Sequence, residues 1–204
     1  GSNPMWGDDV SCTPQLDKPG VITPTGLYTA AAAGAPTGNP GILYLPSAAA
    51  VIDSTYVDWP SLIGGNFTPD YVLPGSLVSW NTNAVILVNG DYTTPAGLPN
   101  PSRGILVVTG NLTLTNDVHW HGVVIAGGFV RGTGEFRIHG MLLSGLNIAL
   151  GQVVPPDTIP RDLFFLARQV HWRSCDYNTA VQSLAALVPL GNAWTDTWST
   201  YCDW

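Results

Sequence analysis

The feature that most restricts the fold of this chain is a short repeat in its middle. Segments 84–90, 104–110, 122–127 and 140–145 each run from a small residue through three or four apolar residues to a closing glycine. Their first residues, Ala84, Gly104, Gly122 and Gly140, are spaced by 20, 18 and 18 residues. A unit this short cannot bury an apolar face alone, so successive units must stack. A winding of about 18 residues holds two or three short strands, and glycine tolerates the positive φ that a corner between them demands. Neighbouring windings would then pair in parallel, about 4.8 Å apart.

The second half of each unit supports the same geometry. Asp117 to His121 and Glu135 to His139 again lie 18 residues apart, and in both stretches polar and apolar residues alternate. On a strand this puts Val118, Trp120, Phe136 and Ile138 on one face, and Asp117, His119, His121, Glu135, Arg137 and His139 on the other. The runs Val123-Val124-Ile125 and Met141-Leu142-Leu143 are continuously apolar, as strands covered on both faces are. One wall is therefore expected to face water and another to be covered. Stacking should set His121 beside His139 and Trp120 beside Ile138.

Proline marks the boundaries. Thirteen of the 17 prolines lie at or before Pro101, none between Ser102 and Val154, and four beyond. A proline-free stretch can give every backbone N–H to a sheet, whereas a central strand rejects proline. Residues 1–78 read as a loop-rich wrapping with short extended pieces, in which Ala30 to Ala35 is a small-residue run forming a helical turn or a loop. Residues 79–152 read as the stacked strands and 153–204 as a cap, all in one compact domain. The cap holds a strand-like run, Leu163 to Leu166, and one helix near 176–189. Asp176 or Asn178 would cap that helix, Val181, Leu184, Ala185 and Val188 give it an apolar stripe, and Pro189 and Gly191 end it.

The expected fold is thus all-β: a short right-handed parallel β-solenoid with a loop-rich N-terminal wrapping and one C-terminal helix. Its hand follows the rule for parallel crossovers. Residues 79–90 and 146–152 would be its end windings, which need caps or serve as polymerisation faces.

Composition excludes several function classes. Charged residues make up 10% of the 204, against about a quarter in ordinary soluble domains. Seven Lys and Arg in a chain of net charge −7 cannot form the basic stripe that nucleic acid or an anionic membrane surface requires. No apolar run reaches the roughly 20 residues of a spanning helix. Low charge with 23 Gly, 17 Pro and 8 Trp fits a secreted or surface protein. Three cysteines, Cys12, Cys175 and Cys202, permit one disulfide. Cys175 with Cys202 is the expected pair, Cys12 with either is the alternative, and a reduced intracellular chain stays open.

The stretch from Gly104 to Thr115 (Gly-Ile-Leu-Val-Val-Thr-Gly-Asn-Leu-Thr-Leu-Thr), running on through Trp120-His-Gly-Val-Val-Ile-Ala-Gly127, resembles a segment of bacterial pilus-assembly, type IV prepilin-like surface proteins. Bactofilins share such glycine-punctuated apolar strands. The likeness covers about 104–150. Beyond it, Ser174-Cys175 and the following helix resemble the C-terminal end of these proteins, and Met5 to Asp9 resembles the stretch next to their anchor helix. The resemblance implies an N-terminal pilin-type hydrophobic helix, a surface region with a short β-solenoid, an envelope or extracellular location and a structural or adhesive role. No such helix precedes Met5 here; Gly1-Ser2 reads as a scar of tag removal, so a native leader or anchor could have been cut off, which would explain the departure.

Charged residues and histidines concentrate in one ladder: Asp117 with Glu135, His119 with Arg137, and His121 with His139. Three readings compete for it. The histidines with a carboxylate could ligate zinc or copper, because residues i and i+2 of a strand point the same way. The two carboxylates could raise one another's pKa for acid–base work on a sugar. A solvated wall, in which Glu135 beside Arg137 interleaves charge, is the simplest and is the one expected. Cys175 with His171 as a nucleophile pair would need an activated, exposed thiolate. No Gly-x-Ser-x-Gly elbow, phosphate loop, dinucleotide fingerprint or dense calcium loop occurs. Trp194, Trp198 and Trp204 cluster near the end and could touch glycan, although packing explains most of the tryptophans.

The expectation is a protein without cofactor, metal or catalytic residue. It would act as a structural subunit or surface domain of a pilus-like or envelope-attached filament, and its partners would be other copies or pilin-like subunits. A carbohydrate-binding module and a polysaccharide-active solenoid enzyme are the alternatives.

Overall fold

The computed structural model describes residues 21–25, 40–55, 57–66, 68–75, 80–95, 98–115, 117–152, 168–171 and 173–185. Eleven strands lie among them: β1 (Val21–Pro24), β2 (Ile42–Leu45), β3 (Tyr71–Leu73), β4 (Ala84–Val88), β5 (Tyr92–Thr93), β6 (Ser102–Val108), β7 (Leu112–Leu114), β8 (Val118–Ala126), β9 (Val130–Gly132), β10 (Phe136–Leu143) and β11 (Arg168–His171). The helices are α1 (Ala48–Thr55), α2 (Trp59–Ile63) and α3 (Ser174–Ala185), with a 3-10 turn at Leu146–Leu150.

Every strand pair is parallel. The large sheet has the order β11-β10-β8-β6-β4-β3, and a second sheet has the order β5-β7-β9. From β4 to β10 the chain alternates between these two sheets, laying each strand beside the one a repeat earlier. Ala84, Gly104, Gly122 and Gly140 fall on one register line, as the spacing predicts. Gly104, Gly122 and Gly140 all have positive φ, 109°, 132° and 132°. A Cβ on any of the three would collide with the carbonyl oxygen of the residue stacked before it, so the column closes only with glycine.

The alternation of side chains divides the core in two. Ile86, Val88, Leu106, Val108, Leu112, Leu114, Val118, Trp120, Val124, Phe136 and Ile138 form one cluster, shared by the large sheet and the three-stranded sheet. Trp120 donates from Nε1 to the Gly104 carbonyl at 3.2 Å, so its one polar atom is satisfied. Val85, Ile105, Val107, Val123 and Ile125 point the other way, toward Trp59, Leu146 and Ala180. The continuously apolar runs are therefore covered on both sides, the second cover coming from α2, the 3-10 turn and α3.

Polar side chains continue the stacking where the strands stop. Asp91 accepts from the Asn111 backbone N–H at 2.7 Å, and Asn111 Oδ1 accepts from the Phe129 N–H at 3.1 Å. The Thr94 and Thr115 hydroxyls meet at 3.1 Å.

Among the described residues, the N-terminal segment carries two helices, α1 and α2, beside its short strands. Asp58 caps α2 by accepting from the Ser61 N–H at 3.2 Å, with Pro60 in the first turn. Trp59 is wholly buried and donates to Asn147 Oδ1 at 3.0 Å, anchoring this helix to the 3-10 turn. The large sheet also extends past the windings expected to end it. Leu73 pairs with Val88 from the N-terminal side, and Ile138 with Val170 from the C-terminal side. α3 starts at Ser174, so Asp176 lies in its first turn rather than at its cap. Ala30 to Ala35, Leu163 to Leu166, the end of the helix at Pro189 and Gly191, Met5 to Asp9, Cys12 and Cys202 lie outside the described residues.

Candidate functional site: a histidine column beneath the C-terminal helix

Strand pairing brings the ladder together as its spacing predicts. His119 is in register with Arg137, Trp120 with Ile138 and His121 with His139, all on parallel strands. The Asp117 N–H donates to the Glu135 carbonyl at 2.9 Å, extending the match one row further. The His121 and His139 rings stack, with centroids 4.7 Å apart and planes inclined by 29°.

Two further residues share the His121 line: Arg103 on β6 and His171 on β11. Arg103, His121, His139 and His171 thus occupy one position on four successive strands. From α3, Asp176 Oδ1 meets His121 Nδ1 at 3.2 Å, and Asp176 Oδ2 lies 3.4 Å from Nε of Arg173. Sequence reasoning offered Asp176 or Asn178 as a helix cap and passed over Arg103 and Arg173. Arg103 could have been found by carrying the 18-residue spacing back from His121. Nothing periodic ties residue 121 to residue 176.

Helix α3 corrects the expectation of a wall facing water. It packs across β8 and also touches β10, β6 and β4. The His121 and Asp176 side chains are only 13% and 20% exposed. His119, Arg137 and His139 are half-buried, and only Asp117 and Glu135 at the far end are exposed. Burial holds the His119 imidazole below its ordinary pKa. The positive charge of Arg137 adds to this, His121 contributes in the same direction, and Asp117 and Glu135 oppose it.

The geometry decides what the column can do chemically. Rings stacked in nearly parallel planes aim their nitrogens side by side instead of at one point, whereas zinc gathers its ligands tetrahedrally. Among the described residues, no group of three His, Cys, Asp or Glu is arranged to hold a metal ion. What the column does is hold α3 through the contact of His121 with Asp176. Cys175 lies in the first turn of α3, next to that carboxylate. Of the tryptophans described, Trp59 and Trp120 are buried and Trp80 packs against Tyr92 and Trp120, so all three serve packing. Trp194, Trp198 and Trp204 lie outside the described residues.

No protein-family model, curated protein or solved structure matches this chain.

Proposed function

We propose that the chain is a non-enzymatic structural subunit or surface domain of a pilus-like or envelope-attached filament. In this reading its parallel strands form a short right-handed β-solenoid, which acts as a rigid spacer. The observation that carries the proposal is the unbroken parallel ladder of six strands, held in register by the stacked glycines and filled by a continuous apolar interior. A ladder of that kind resists bending along its stacking axis, because each winding is hydrogen-bonded to the next along its length. The likeness of 104–150 to pilus-assembly proteins supports a place outside the cell, and a disulfide between Cys175 and Cys202 belongs to the same reading.

Growth into a filament needs an end that accepts another strand. Among the described residues β11 is the outermost strand on its side, and Val170 on it is 49% exposed. Charge placed on an edge strand opposes strand addition. The test is sedimentation velocity and negative-stain microscopy of the chain at rising concentration, with and without Val170→Lys. Concentration-dependent assembly that Val170→Lys suppresses is the expected result. A wild-type chain that stays monomeric at high concentration, or assembly indifferent to the lysine, would overturn the proposal.

A further inference from the structure

A second glycine column lies at the corner where the chain leaves the large sheet. There the Gly110 N–H donates to the Gly90 carbonyl at 3.0 Å, Gly128 to Gly110 at 2.9 Å and Gly145 to Gly128 at 2.8 Å. The column begins with Asn89-Gly90, the only Asn-Gly pair in the sequence, and both residues are exposed. Gly90 has φ 90°, and the side on which a Cβ would stand is open. The Asn89 N–H donates to the Leu73 carbonyl at 3.2 Å, while its side-chain amide makes no hydrogen bond among the described residues. The Gly90 N–H is held, because it donates to the Thr109 hydroxyl on the next winding at 2.7 Å.

We propose that Asn89 is a site of spontaneous deamidation and that the Thr109 hydroxyl sets its rate. The Gly90 backbone nitrogen, once deprotonated, attacks Asn89 Cγ. The new N–C bond closes a succinimide ring, and the side-chain nitrogen leaves with the displaced proton as ammonia. Water then opens the ring at either carbonyl, giving aspartate or isoaspartate at position 89. One water is consumed and one ammonia released, with no change of oxidation state. Glycine after asparagine suits this step, because no side chain shields the attacking nitrogen and the peptide reaches conformations closed to other residues. The bond to Thr109 opposes it. The N–H must leave the hydroxyl, and the peptide plane must swing toward Cγ while Gly110 grips the Gly90 carbonyl. The product disturbs the winding in two ways. Isoaspartate lengthens the main chain by one methylene between β4 and β5, both of which are in register with the following winding. Either acid adds a carboxylate two residues from Asp91, whose own carboxylate is bonded to Asn111.

The site is independent of filament formation and is read on the monomer. Wild type, Thr109→Val and Thr109→Ser are held folded at mildly alkaline pH, and peptide mapping by mass spectrometry follows the acid formed at residue 89. Valine keeps the branched shape but accepts no hydrogen bond, so conversion is expected to run about two- to tenfold faster than in wild type. Serine keeps the hydroxyl and should convert close to the wild-type rate. Three results each defeat the proposal: Thr109→Val no faster than wild type, Thr109→Ser as fast as Thr109→Val, or no product in folded wild type while the urea-unfolded chain converts. Should the valine variant fail to fold, hydrogen exchange of the wild-type Gly90 amide decides the matter. Protection by the same factor by which folding slows conversion supports the role of Thr109, and exchange at the unfolded rate overturns it.

Discussion

Replacing Gly122 by alanine tests the stacking in the most direct way. Gly122 has φ 132°, a conformation that L-residues rarely adopt, and forcing one there costs about 1–3 kcal/mol. The added Cβ would also run into the Gly104 carbonyl oxygen and come 2.9 Å from the Ala180 Cβ of α3. The carbonyl belongs to backbone that is paired on both sides, so relief requires β6 and β8 to separate or α3 to shift. Overpacking of this sort costs about 1–3 kcal/mol more. The sum, roughly 2–6 kcal/mol, is a large share of the ~5–15 kcal/mol that keeps a domain folded. In a domain of this size it lowers Tm by about 4–24 °C.

Gly90 provides the control. It too has positive φ, 90°, but a Cβ there would meet nothing within 4 Å. Gly90→Ala should show the conformational cost alone, about 1–2 kcal/mol. Urea denaturation of both variants measures the difference. If Gly122→Ala unfolds within about 1 kcal/mol of wild type, or if the two variants lose equal stability, the tight glycine column is wrong.

Burial and charge give two more expected outcomes. Leu106 has no exposed surface and sits on the central strands of the large sheet, so Leu106→Ala should cost about 2–5 kcal/mol in denaturant unfolding. His119 is held below its ordinary pKa of 6.5, chiefly by burial, so the folded chain resists charging it. Its contribution to stability is present above pH 6.5 and is lost as pH falls from there through the lowered value. The stability of His119→Gln should therefore decline less than that of wild type between pH 7 and pH 5, and parallel curves for the two proteins would refute this.

Much of the sheet was legible because its pattern is local and periodic. The 18-residue spacing sets Gly104, Gly122 and Gly140 on one line, and the alternation from Val118 to His121 separates the inward Trp120 from the outward His121. Both arise from strand geometry, where side chains switch faces at every residue and a parallel neighbour repeats the same face. The pairing of His121 with His139 needed nothing more.

Tertiary structure alone decided what covers the sheet and how far it extends. β3 and β11 join through short segments that carry no copy of the repeat, so their register depends on backbone hydrogen bonds available only once β4 and β10 are in place. The sequence by itself determined that residues 123–125 would be covered on both faces. That α3 provides part of the cover, and so shields His121 with Asp176 from 55 residues away, comes from long-range packing. An apolar face attracts any apolar partner, because the hydrophobic effect has no direction. Which helix arrives, and which carboxylate it carries to the histidines, is settled by the shape of the folded chain.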